Sequence, residues 1–286
     1  APLIFEDLPD GRRVFYSGTG CGNIVCLDAR TGQSLWRFQM SYGGVNSGVV
    51  LHGNTIVAIH GKENIDATDI GRMVAIKKPA KLPSPGEGML MLGKGDEKWR
   101  NNELEAFTST PVYRDGRVYS TIKTGELLCV DADTGKIVWR LKLAPDQVHA
   151  SPLWADGKLY VPMFDGKCFI VKDKGETGEI IDEVQLDGAC LAAPSAAYGR
   201  VFVQSKKRIY CFGSKAPAPA FTGTTGSVSK SSGEPAALQV VPAEFAVKSG
   251  TSLKFKVYSL DKAGRRIAEV SEGLTWEKWI PPTAKV

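Results

Sequence analysis

The sequence predicts an all-β chain: a β-propeller of about five four-stranded blades, then a linker, then a partial β-sandwich. Three observations lead there. A unit of about 41 residues recurs, seen by laying STPVYRDGRVYSTIKTGELLCVDADTGKIVWRLKL (Ser109 to Leu143) on ASPLWADGKLYVPMFDGKCFIVKDKGETGEIIDEVQL (Ala150 to Leu186). Each unit holds four short runs of β-branched and aromatic residues that alternate with period two, split by Asp-Gly or Thr-Gly turns. No segment sustains a helical period. Four antiparallel strands per repeat, repeated in tandem, is the pattern of a propeller blade.

The elements follow in order. Aligning the copies on Pro2, Gly48, Pro111, Pro152 and Pro194 gives spacings of 46, 63, 41 and 42 residues. The second copy therefore carries about 22 extra residues, in the stretch Lys77 to Lys98. The first copy holds Asp28, Thr31, Gly32 and Trp36, and the third repeats them as Asp131, Thr134, Gly135 and Trp139. The second keeps only Gly95 and Trp99, while the fourth keeps Thr177-Gly178 but has Asp182 where tryptophan is expected. The fifth stops after its third strand, at about residue 213.

The chemistry of the shared motif is local. An Asp side chain accepts hydrogen bonds from the backbone of its own turn, and the Gly takes the positive φ of a tight hairpin. The Trp then covers the joint to the next blade. Their expected role is stability rather than catalysis.

Residues 214–237 are rich in Pro, Ser, Gly and Thr and read as a flexible linker. Residues 238–286 follow as the start of a sandwich. Its phrase KSGTSLKFKVYSLDKAGRRI resembles the central hairpin of a bacterial immunoglobulin-like domain, and 49 residues are too few for the whole of one.

Composition narrows the function classes. The chain has 286 residues, 43% hydrophobic and 23% charged, which excludes collagen, a coiled coil and wholesale disorder. No apolar run reaches the ~18 residues of a transmembrane helix. The start, APLIFEDLPDG, has no charged n-region before an apolar stretch, so no signal peptide is expected in it. Of the 36 Lys/Arg and 31 Asp/Glu, ten and six lie in residues 214–286, which leaves the first 213 residues with 26 and 25. So balanced a body is not expected to bind nucleic acid. Arg265-Arg266 reads as a solvated turn or strand edge.

The six cysteines form no CxxC. Cys26, Cys129 and Cys211 recur at one repeat position and read as small buried hydrophobes. Cys21 and Cys26 are near enough to meet across a hairpin, and the redox state stays open.

His52 and His60 each precede a glycine and are expected in turns. His149 precedes an innermost strand, and its counterparts in the other copies are Val45, Thr108 and Leu191. These four are candidates for a channel rim. Met89, Leu90, Met91 and Leu92 put an apolar run on the insertion. It is expected to fold back on a blade edge; the sharper alternative is a loop that docks a partner.

The frame at Cys26–Trp36 and Cys129–Trp139 resembles the tryptophan-docking repeat of the pyrroloquinoline-quinone-like (PQQ-like) β-propellers, with Cys where that family usually has Ala. The resemblance covers residues 1 to about 213. It implies a ring of more than five blades, so the chain reads as a fragment of a longer polypeptide. Two kinds of function come with the family: the non-enzymatic, BamB-like propeller of the outer-membrane protein assembly machinery, and quinoprotein dehydrogenases that use pyrroloquinoline quinone and Ca²⁺. The adjacent cysteine pair of the enzymes is missing here, and their calcium-binding Glu, Asn and Asp find no match residue by residue. The expectation is therefore a non-enzymatic scaffold that binds a protein partner, with no cofactor. The quinoprotein is the alternative. The family also implies a periplasmic or cell-surface location in a bacterium. Oligomeric state is not legible.

Overall fold

The computed structural model describes residues 2–84, 86–145, 149–213, 233–243, 248, 250–262 and 264–277. The chain divides into two compact units, Ala1–Glu6 with Val14–Phe221 and Asp7–Arg13 with Thr222–Val286.

Among the described residues the first unit holds five successive sheets, antiparallel but for one added strand in the first. Sheet 1 contains β1 (Ile4–Asp7), β2 (Arg13–Gly18), β3 (Asn23–Asp28) and β4 (Ser34–Gln39). Sheet 2 contains β5 (Val50–His52), β6 (Thr55–Glu63) and β7 (Ile70–Lys77). Next in the chain comes β8 (Leu90–Leu92), which joins sheet 1, and then β9 (Glu97–Asn101), which completes sheet 2. Sheet 3 is β10 (Val112–Arg114), β11 (Arg117–Thr121), β12 (Glu126–Asp131) and β13 (Ile137–Lys142). Sheet 4 is β14 (Leu153–Ala155), β15 (Lys158–Pro162), β16 (Lys167–Asp173) and β17 (Gly178–Gln185). Sheet 5 has three strands, β18 (Ser195–Ala197), β19 (Arg200–Gln204) and β20 (Ile209–Gly213). These are propeller blades in sequence order, and no closed ring is seen among the described residues.

Turn chemistry sets the hairpins. β10–β11 and β14–β15 close through Asp115-Gly116 (φ 48° and 79°) and Asp156-Gly157 (φ 50° and 68°), left-handed at both central positions. That twist matches the strands, and Asp and Gly adopt it readily. The third such turn, Tyr198-Gly199, forces a bulky residue to φ 53°.

The cores lie between the sheets. Val57, Ile59, Met73 and Ala75 of sheet 2 pack with Val118, Leu128 and Val130 of sheet 3. Tyr119, Leu127 and Cys129 of sheet 3 pack with Leu159, Val161, Phe169 and Val171 of sheet 4. A smaller cluster, including Cys168, Leu186, Cys190, Val201 and Val203, joins sheets 4 and 5.

Two expectations, those for His60 and Cys211, are corrected here. Residues 90–92 fold back on a blade edge, and do so as a strand: β8 pairs in parallel with β4, matching Trp36 with Leu90 and Phe38 with Leu92. The β4 edge offers unpaired backbone groups, and the apolar run is long enough to take them. His60 lies inside β6 and is fully buried, because Gly61 continues the strand instead of turning it. Cys211 is exposed, since among the described residues sheet 5 has no fourth strand to cover β20. No disulfide links the six cysteines.

In the second unit β21 (Ala237–Val241), β22 (Lys256–Leu260) and β23 (Arg266–Val270) form one antiparallel sheet. The β22–β23 hairpin turns at Asp261, whose Oδ1 accepts from Arg265 N at 2.9 Å and whose Oδ2 accepts from Arg265 Nε at 2.9 Å. Arg266 lies over the Tyr258 ring at 4.2 Å. Most of the expected linker, residues 214–232, lies outside the described residues.

Candidate functional site

Two features of the first unit stand out: a row of rings at the strand entries, and the seams between sheets.

The row begins where the chain enters the innermost strands. Thr108, just before β10, places Oγ1 3.0 Å from His149 Nδ1, just before β14. Phe107 meets the His149 ring edge-on at 5.9 Å, and Phe164, from the β15–β16 turn, meets it from the other side at 6.5 Å. Lys62, late in β6, sits 4.9 Å over Phe107, and Lys206, in the β19–β20 turn, sits 5.9 Å over Phe164. One continuous line, Lys62–Phe107–His149–Phe164–Lys206, thus crosses sheets 2 to 5. Phe107 is 42% exposed and Phe164 49%. Among the described residues, neither lysine has a carboxylate within ion-pair distance. Exposed rings flanked by uncompensated cations suit a ligand that is apolar in the middle and carries acidic groups.

The structure treats the four expected rim residues differently. Thr108 and His149 are brought together and join the row. Leu191 is exposed at 41%, with no ring contact to them. Val45 is buried at 2%, packed on the backbone at Gly18, where an added Cβ would come within 2.8 Å of Val45 Cγ1. It offers nothing to a ligand, which corrects that placement. Phe107, Phe164, Lys62 and Lys206 were missed by sequence reasoning. Phe107 adjoins the aligned Thr108, a usable signal, but the other three have no shared repeat position.

Sheet 2 and its β6–β7 connection carry a partly buried polar network. Arg72, 1% exposed, donates from Nε to Asn64 Oδ1 at 2.7 Å and from Nη2 to Asp66 Oδ1 at 2.6 Å. Asp66 also takes Arg100 Nη1 at 2.8 Å. Burial raises the Asp66 pKa, but the two arginines outweigh it and hold it at about 2. His60 Nδ1 accepts from Lys62 N at 3.2 Å, while Nε2 is buried with no partner among the described residues. Burial, and then the nearby Arg72 charge, lower the His60 pKa to about 4.

The seams carry the repeat motif. Asp28 Oδ1 accepts from Arg30 N and Thr31 N, both at 2.9 Å, and Asp131 Oδ1 accepts from Asp133 N at 3.1 Å and Thr134 N at 2.8 Å. Gly32 and Gly135 take φ of 73° and 72°. Gly95 instead falls in a 3-10 turn, Lys94–Asp96, because the insertion replaces the Asp-Thr-Gly hairpin. The four-stranded sheets share one bulge, between Cys26/Leu27, Ala75/Ile76, Cys129/Val130 and Ile170/Val171. The residue opposite it is Trp36, Trp99, Trp139 and Asp182 in turn. Trp99 Nε1 donates to Ala132 O at 2.9 Å and Trp139 Nε1 to Asp173 Oδ1 at 3.2 Å. Both indoles lie against the turn of the next sheet: a Cβ at Gly135 would come within 2.4 Å of Trp99, and one at Gly178 within 2.8 Å of Trp139. Trp36 is fully buried, yet its Nε1 has no partner among the described residues. At the fourth seam, with Asp182, a crevice of about 840 Å³ lies between sheets 4 and 5.

His52 is a further seam residue. Its Nδ1 is 3.0 Å from Tyr113 OH and its Nε2 2.9 Å from Asp133 Oδ1, which also binds Lys98 Nζ at 2.6 Å. This ties sheet 2 to sheet 3. Met89 is half-buried, Leu90 and Met91 are 37% and 59% exposed, and Leu92 is half-buried. Among the described residues, no group of three or more His, Cys, Asp or Glu gathers as metal ligands do. No helix among them is long and apolar enough to cross a membrane.

Residues 89–175 match the sequence model of a family described as outer membrane protein assembly factor BamB. The protein of that name from Shewanella oneidensis is 26% identical over 186 residues, covering 55% of this chain and 47% of the relative. That from Escherichia coli K12 is 24% identical over 151 residues, covering 52% of this chain and 32% of the relative. The chain thus spans about half the length of the first relative and about a third of the second. The crystal structure of the computationally designed Ika8 protein superposes with a TM-score of 0.52 at 15% identity, over 74% of this chain and 57% of that one. That likeness is one of fold. The chain carries PQQ-like, BamB-like propeller repeats.

Proposed function

We propose that this chain is a non-enzymatic, protein-binding part of a β-propeller, and that it holds a partner polypeptide on the row from Lys62 to Lys206. One observation carries the proposal: three adjoining rings, two of them large exposed phenylalanines, end on lysines with no acidic partner among the described residues. Exposed aromatics of this kind supply contact area at low entropic cost, and rim cations steer an acidic partner. The relatives' name, outer membrane protein assembly factor, supports a role among proteins and, by resemblance, a location outside the cytoplasm.

The test is site-specific photo-crosslinking in the native host. A photoreactive residue at Phe107 or Phe164 is expected to trap one polypeptide, and one at Ile181 none. Charge reversal by Lys62→Glu with Lys206→Glu is expected to remove the adduct. An adduct unchanged by the double reversal, or none at all, overturns the proposal. A thermal melt with excess pyrroloquinoline quinone and Ca²⁺ is expected to show no shift. A rise of a few degrees that needs both components would restore the quinoprotein alternative.

A further inference from the structure

The fourth seam repeats the geometry of the other three with its filling left out. In each four-stranded sheet the outermost strand of the repeat is bulged at the same place, and in sheets 1 to 3 the residue there is an indole. Sheet 4 has the bulge, between Ile170 and Val171, but offers Asp182. Among the described residues a crevice of about 840 Å³ lies here, walled by Tyr160, Ile170 and Val184 on one side and Phe212 on the other.

Two carboxylates, Asp156 and Asp182, and one guanidinium, Arg200, line this crevice. Asp182 accepts only the N–H of Glu183, at 2.9 Å, and has no cationic partner among the described residues. Asp156 also lines the space but is paired with Lys158 Nζ at 2.5 Å. Arg200 is a further wall residue and is not without a partner of its own. The third seam shows how a ring and a carboxylate combine in this setting, since the Trp139 indole N–H donates to Asp173.

We propose that the crevice between sheets 4 and 5 binds a small cationic aromatic amine, its ring between Tyr160, Ile170, Val184 and Phe212 and its ammonium on Asp182. The ring takes the place of the indole missing from the repeat, and the ammonium supplies the cation that Asp182 lacks. The proposal is independent of the polypeptide row, which lies at the strand entries.

Tryptamine, titrated into the whole chain and followed by calorimetry or by NMR of the ligand, is the probe. Saturable binding is expected. Uncharged indole should bind about fivefold more weakly, the worth of one exposed ion pair, and indole-3-acetate no better than indole. Asp182→Asn keeps the shape and removes the charge, so it should weaken tryptamine about fivefold while leaving indole unchanged. Asp182→Trp should remove binding of all three, in a protein that melts no lower than the parent. No saturable tryptamine binding overturns the proposal. So does binding retained in Asp182→Trp, or equal affinity for tryptamine and indole-3-acetate. Should Asp182→Trp fail to fold, the Asp182→Asn comparison decides alone.

Discussion

The third and fourth seams of the first unit begin from the same bulged strand and end differently. At the third, Trp139 is 5% exposed, lies on Gly178, and donates to Asp173. Asp173 also receives Arg117 Nη1 at 2.7 Å, Tyr119 OH at 2.5 Å and Gly175 N at 2.7 Å. At the fourth, Asp182 stands at the bulge, and the flanking Ile180 and Ile181 are 40% and 43% exposed. Yet sheet 4 has the same strand order as sheet 3 and the same Asp-Gly turn between its first two strands. Strand pairing and turn chemistry are therefore enough to build a blade. The tryptophan acts at the next level, closing one blade on another.

The most direct way to break this contrast is Trp139→Ala, which turns the third seam into an open one and strands Asp173 with one donor fewer. Loss of a buried Trp costs about 3–5 kcal/mol, or a fall of roughly 10 °C in Tm for a protein this size. Asp182→Ala, at the open seam, is expected within about 0.5 kcal/mol of the parent. Equal costs for the two, measured by urea unfolding, would mean that the indole does not close the seam.

Acid offers a second test, inside sheet 2. His60 is fully buried, with its pKa lowered to about 4 from an ordinary 6.5. The unfolded chain therefore takes up a proton that the folded chain refuses between those values. Stability should fall as pH drops from 6.5 towards 4, by about 3 kcal/mol in total, and this contribution should level off below 4. Asp66 acts in a separate window: its pKa, held at about 2, gives stability that is complete above 3.8 and is lost as pH falls through 2. Urea midpoints of the parent and His60→Gln should converge as pH approaches 4. A slope between 6.5 and 4 that persists in the variant would assign it to other groups.

Much of this organisation was legible in the residues. Asp28, Asp131 and their glycines announced the turns because the hydrogen bonds involved are local, within three residues of the Asp. Trp36, Trp99 and Trp139 announced the seams because the repeat spacing places them alike. Asp182 was legible as a departure, but not the crevice beside it, which depends on how Phe212 of the next sheet sits. The row of rings was half legible. His149 and Thr108 share an aligned position, whereas Phe164 and Lys206 come from turns whose positions the repeat does not register. His60 was misplaced because His-Gly reads as a turn locally. The β6–β7 pairing, His60 with Arg72, carries the strand through it instead.

Filling the open seam sharpens the comparison from the other side. Asp182→Trp places an indole at the bulge against Phe212, Ile170 and Val184, and removes a carboxylate with no cationic partner among the described residues. The gain is expected to be about 1–2 kcal/mol, a rise of a few degrees in Tm, as for other cavity-filling changes. A loss of stability would show that the crevice does not accept an indole in the orientation that Trp99 and Trp139 adopt.

The smallest effect separates two closed seams from each other. Trp99 and Trp36 are both buried, but Trp99 Nε1 donates to Ala132 O at 2.9 Å, while Trp36 Nε1 has no partner among the described residues. The reason lies in the insertion. Sheet 3 supplies Ala132 from its Asp-Thr-Gly turn, whereas sheet 2 runs from Lys77 into the extra residues at the equivalent place. Trp99→Phe and Trp36→Phe remove the same indole volume, so their difference isolates the N–H. Trp99→Phe additionally leaves a carbonyl without its donor, while Trp36→Phe removes a polar group that was never satisfied. The first should therefore cost about 1 kcal/mol more than the second. Equal costs would mean that Trp36 Nε1 finds a partner in solution, most simply an ordered water, and that the insertion leaves the first seam as well satisfied as the second.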